Sequence, residues 1–215
     1  MNLRKPLVTV GIIIAVFFFY RLATRPKGYK TTEGIVATEE PLQTDLQEDE
    51  DKPFQDDVNG YKWTITPKAE FRISARVLST ERYRMEWQST LSPVDLALGW
   101  GPLSSRDVDH WIDWSQSGRW YFYQWSADSP YKANFIKDHS ANVHIIPSSD
   151  NLKSAVLRLH SNEMVLLEGL LVNVDGSRGG DNYWWHTSLS RKDTGNGSCE
   201  LLYLKRLVVD EKEYR

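Results

Sequence analysis

The chain has 215 residues with 26 Lys and Arg against 29 Asp and Glu, a net charge of −3, and one Cys. A single Cys excludes an internal disulfide framework and a multi-Cys zinc site, and the acidic balance excludes a uniformly basic nucleic-acid-binding body. The charge is sorted: residues 1–30 hold six bases and no acid, 31–57 ten acids and one Lys, and 58–215 nineteen of each.

Arg4 and Lys5 precede an apolar run over 7–20 that Leu22 and Ala23 extend. The run ends in Phe17, Phe18, Phe19 and Tyr20, and no small-x-small cleavage site comes after it. This reads as an uncleaved single transmembrane helix over 1–23, with a cleaved signal peptide as the alternative. The bases after the run, Arg21, Arg25, Lys27 and Lys30, argue for a cytoplasmic body. The nearness of the run to the N-terminus resembles a signal-anchor, which exports the rest of its chain, and that orientation is the one expected.

Residues 24–58 have no apolar periodicity, hold three Pro and carry the acidic run Glu48, Asp49, Glu50, Asp51. Such a stretch buries too little apolar surface to offset its ordering entropy, so a disordered acidic linker is expected.

From residue 59 to 211 the sequence predicts one α+β domain. Period-two alternation over 70–79 (Phe71, Ile73, Ala75, Val77) predicts a strand, and Tyr83, Met85 and Trp87 continue the pattern. Further strands are expected at 120–125, 164–174, 183–189 and 199–209. Gly169 marks a bend in the second of these, as a barrel corner needs. Gly179 and Gly180 predict a hairpin, and the last three strands a meander. Ser149 or Asp150 caps a helix that puts Leu152, Ala155, Val156 and Leu159 on one face. Brief helices are expected from Ser92-Pro93 to Gly99 and after Ser104, with Val108 and Trp111 inward. The expected architecture is a partly closed antiparallel β-barrel, OB-like, with a few short helices.

All nine Trp lie beyond residue 59. Trp184, Trp120, Trp125 and Tyr183 are the candidate binding aromatics, since exposed ring faces stack on sugars or partner side chains. Cys199 is a candidate nucleophile, with His139 or His144 as base and Arg206 as the cation that favours its thiolate. The five-residue spacing of the two His fits neither one helix face nor one strand face, and no metal site or cofactor is expected. Asp107, Asp109 and Asp113 offer carboxylates without a shared partner. The glycine-rich loop at 191–197 lacks a Walker-type phosphate motif.

The His…Cys…Arg order behind an anchor resembles a sortase, a membrane-anchored cysteine transpeptidase, although Cys199 precedes its strand whereas the family's Cys ends one. His186 with Gly197-Ser198-Cys199 resembles the His and S-x-G-C pattern of L,D-transpeptidases, with the glycine displaced. Longer strings, 91–101, 115–121, 139–147 and 188–195 with Cys199-Glu200, resemble a group of uncharacterised bacterial proteins with an N-terminal anchor. That resemblance implies a bacterial source and brings no activity with it.

The expectation is therefore a single-pass protein of the bacterial cytoplasmic (inner) membrane, anchored through 7–23, with its body on the periplasmic or outer side. The body binds a protein or glycan partner through an aromatic-rich face, and no nucleic-acid partner is expected. The alternative is an anchored cysteine-dependent hydrolase or transpeptidase.

Overall fold

The computed structural model describes residues 24–190 and 199–215. The expected membrane span at 1–23 and the loop at 191–197 lie outside the described residues. Among the described residues no helix is long and apolar enough to cross a membrane.

The stretch expected to be a tether is part of the fold. It forms β1 (Tyr29–Lys30), β2 (Leu42–Thr44) and β3 (Phe54–Val58). Its backbone groups are satisfied by extending sheet that already exists: β2 and β3 pair antiparallel with β4 (Tyr61–Arg82), and β1 pairs with β12 (Lys212–Tyr214). Ala37 is buried, Leu46, Phe54 and Val58 pack against a core cluster, and Glu33 reaches Arg72 and Arg206. The composition argument fails here because edge strands need no core of their own. The folded unit consequently takes in residues on both sides of 59–211.

β4 is 22 residues long and serves two layers. Its first half alternates Tyr61, Trp63 and Ile65 into one cluster with Val172 and Val174. Its second half sends Phe71, Ile73, Ala75 and Val77 into the main core. Register shifts at Pro67/Ala69 and Val77/Ser79 divide it, the first at a proline that cannot donate to the ladder.

The remaining elements are β5 (Val94–Gly99), β6 (Ile112–Ser117), β7 (Trp120–Trp125), helix α1 (Ala133–Asp138), β8 (Ser140–Pro147), helix α2 (Asp150–Val156), β9 (Met164–Arg178), β10 (Asp181–His186) and β11 (Glu200–Val209). β4 pairs with β5, β5 with β8, β8 in parallel with β11, β11 with β9, and β9 with β4. The pairings thus return to their starting strand. Gly169 sits where β9 passes β11 closely: a Cβ there would lie 2.0 Å from Tyr203 O. The ladder shifts register beside it, between Leu204 and Arg206.

Several expectations are corrected. The predicted helix from Ser92-Pro93 is β5, buried along its whole length; buried on both faces, it shows no alternation to distinguish it from a helix. Residues 83–86 are not strand, and a 3₁₀ helix occupies Trp87–Thr90. The helix expected after Ser104 is a 3₁₀ helix, Arg106–His110, capped by Ser105 accepting from Asp107 N, with Val108 buried as expected. β10 and β11 are not meander neighbours but share one edge of β9 end to end, β11 along 165–171 and β10 along 173–178. α2 forms where expected, with Ser149 Oγ accepting from Leu152 N. Gly179 and Gly180, both with positive φ, turn the β9–β10 hairpin.

Candidate functional site

Asp95 on β5 and His144 on β8 are directly opposed cross-strand residues. Both are buried, at 0% and 2% exposure. His144 Nδ1 lies 2.9 Å from Asp95 Oδ2, off the line of a hydrogen bond, so neither atom has an in-line partner. The other carboxylate oxygen of Asp95 accepts from Arg119 Nη1 at 2.6 Å.

Arg119 arrives from outside the main sheet. β6 and β7 pair as a separate two-stranded hairpin, with Ser117 opposite Trp120 and Gly118-Arg119 between them. Both turn residues have positive φ, 59° and 73°, the I′ geometry that a two-residue hairpin favours. This turn aims the Arg119 side chain into the body. There Nε donates to Glu86 (2.7 Å) and Nη2 to Ser92 O (2.9 Å). The guanidinium lies 3.7 Å from the centre of the Tyr83 ring and 5.3 Å from that of Trp185. Its backbone N donates to Tyr83 OH and its O accepts from Asn142 Nδ2. A cation desolvated this fully persists only with its charge and donors matched, and here the fork of the guanidinium meets both needs.

Burial and the Asp95 carboxylate push the Tyr83 phenol up to about 12, and burial pushes Tyr121 to about 12. Both phenols are neutral at physiological pH. With His144 walled in by Trp185, whose ring centre is 4.6 Å away, the cluster fastens the hairpin to the body.

The outward face of the fastened hairpin is different in kind. Alternation along the pair turns Ile112, Trp114 and Tyr123 toward the body, over a cluster with Leu103, Val108 and Ile136. Asp113, Ser115, Ser117, Trp120, Phe122 and Gln124 face away and are exposed. Trp120 and Phe122 retain 39% and 51% of their surface. Positions i and i+2 of one strand set these rings about 7 Å apart, with Ser117 and Ser115 opposite them.

The other candidate residues divide clearly. Trp184 is the most exposed Trp at 71% and lies beside His186, which contacts Asp175. Trp125 is exposed but on the inward-facing parity of β7, beside Tyr123. Tyr183 stacks edge-on against Tyr61 and packs into a core cluster, so it is not a platform ring. His139 donates from Nδ1 to Phe135 O and stacks on that ring. Arg206 is bound by Glu33, Glu168 and Glu213. Cys199 precedes β11 and Arg206 lies seven residues on, roughly 23 Å away along a strand. Asp109 holds buried Arg76 at 2.8 Å, and Asp113 sits on the outer hairpin face.

Asp95 and Arg119 escape a reading of the sequence. The available signal is a lone carboxylate in the apolar string Val94-Asp95-Leu96-Ala97-Leu98, which demands a buried partner. No protein-family model, curated protein or solved structure matches this chain.

Proposed function

We propose that this chain is a membrane-anchored binding module of the bacterial envelope that takes a protein or glycan partner on the outer face of the β6–β7 hairpin. Its anchor is 7–23, in the cytoplasmic membrane, and its body stands on the outer side. The five strands whose pairings return on themselves are read as an OB-like barrel. Counting β4, β5, β8, β9 and β11 as strands one to five, the neighbour order 1-2-3-5-4-1 is that of an OB barrel, which binds oligosaccharides or oligonucleotides on strands two and three and the loops beside them. In this chain that surface is filled from within by Arg119 and Trp185. The binding role passes to the hairpin lying over it.

The observation that carries this reading is the exposure of Trp120 and Phe122 side by side on a hairpin pinned by a buried ion pair. An aromatic pair on a rigid support loses little entropy on binding, and such anchors dominate interface energetics.

The test is intrinsic tryptophan fluorescence of the detergent-solubilised full chain, titrated with soluble peptidoglycan fragments, alongside affinity capture from envelope extract. Saturable binding or a discrete captured protein, lost in a Trp120→Ala/Phe122→Ala variant of unchanged melting temperature, supports the reading. Binding that the variant retains in full contradicts it.

A further inference from the structure

The described chain begins at the mouth of an open groove of about 1690 Å³ that includes Thr24, Arg25 and Lys27 in its lining. The lining also includes Arg82 at the end of β4 and Arg84 just beyond it, and Lys153 and Arg158 on and beyond α2. Arg82, Arg84 and Lys153 also line an adjoining hollow of about 450 Å³, so the two form one basic surface. Its acids are few. Asp150 and Glu213 line the groove and Glu86 the hollow, but Glu213 is held by Arg206 and Arg215, and Glu86 by Arg119. Arg82, Arg84, Lys153 and Arg158 form no ion pair among the described residues. Asp49, Glu33 and Glu50, from 31–57, pair with Lys52, Arg72, Arg206 and Lys205, none of which lines the groove. The balanced charge of 58–215 therefore conceals a segregated surface.

The chain is also fixed where it enters. Asn151 Oδ1 accepts from Lys27 N at 2.7 Å, and Nδ2 donates to Lys27 O and Arg215 O. Only residues 24–26 separate that clamp from 7–23. With three residues spanning at most about 10 Å, a membrane-inserted 7–23 holds the groove at the headgroup layer.

We infer that this groove docks the body onto the anionic phosphate headgroups of the bilayer that holds the anchor. The inference rests on the anchored reading of 7–23. Each Lys or Arg near an anionic surface contributes about 1 kcal/mol, roughly fivefold in the docked-to-undocked ratio, and salt weakens the attraction.

The test uses the full chain in nanodiscs of phosphatidylcholine, with and without phosphatidylglycerol, read by hydrogen exchange. Carbonate extraction of membranes first reports insertion. The expected result is an inserted chain in which 82–85 and 153–160 are protected in phosphatidylglycerol discs alone. Protection falls in high salt and, by roughly 25-fold in the docked ratio, in an Arg84→Gln/Lys153→Gln variant, whose exposed positions leave the fold intact. A chain stripped by carbonate overturns both the anchor and the docking. An inserted chain that exchanges equally in both discs overturns the docking alone. So does a chain whose groove is protected by a single-stranded oligonucleotide and not by phosphatidylglycerol.

Discussion

Arg119 and Asp95 meet at 2.6 Å in a buried ion pair, one at the tip of a two-stranded hairpin and the other near the start of the main sheet's β5. The contact is the bolt between the two sheets. Removing one member strands the other charge in the interior, at a cost of about 3–5 kcal/mol. Arg119→Ala and Asp95→Ala should each lower stability by this amount in chemical denaturation. Arg119→Lys should rescue little, because a single ammonium cannot reach Asp95, Glu86 and Ser92 O together.

Gly169→Ala should be severe. Its Cβ would meet the backbone oxygen of Tyr203 at 2.0 Å, and a backbone atom cannot rotate away as a side chain does. A loss of about 3 kcal/mol or more is expected, read as a lower denaturation midpoint. Gly34→Ala, with no neighbour within 4 Å of the added Cβ, is the control and should leave the midpoint unchanged.

Arg206 gathers Glu33, Glu168 and Glu213 from three separate segments. Its hydrogen bonds hold the Glu33 and Glu213 carboxyls below the usual carboxylate range, and the same contacts raise Arg206 itself. A lowered carboxylate stabilises the fold fully above its unfolded-state pKa, near 4.3, and loses that contribution as pH falls through its folded value. The melting temperature should therefore drop steeply below about pH 4. Arg206→Gln should lower it at neutral pH and flatten the acid limb.

These contacts explain which elements can be read from sequence. β7, β9 and β11 are legible because alternation or a sustained apolar run marks them, and α2 because Ser149 caps an apolar helical face. β5 is mistaken for a helix because Ser92-Pro93 imitates a helix start and burial on both faces erases alternation. β8 carries its signal in Ser140, Asn142 and His144 against Ala141, Val143 and Ile145, but the five-residue spacing of His139 and His144 obscures that parity. The segment 24–58 looks disordered by composition, which does not register that Glu33 pairs with Arg206, or that β3 completes an edge of β4. Arg119 is invisible for a similar reason: its partner lies 24 residues away, and no local pattern specifies that pairing.

Trp120→Ala/Phe122→Ala should separate binding from folding. Both rings face solvent, so stability should change by about 0.5 kcal/mol or less each, measured by thermal melts. Trp63→Ala, buried at 1% exposure, should by contrast cost about 3–5 kcal/mol.

The outer hairpin face is tested most directly by a benzophenone amino acid at position 122 of the full chain, irradiated in living cells. The account predicts a discrete adduct from position 122, abolished by Trp120→Ala and absent from a probe at Met85, which is 99% exposed but lies off the hairpin. Identical adducts from both positions, or none from 122 with binding in extract intact, would contradict it.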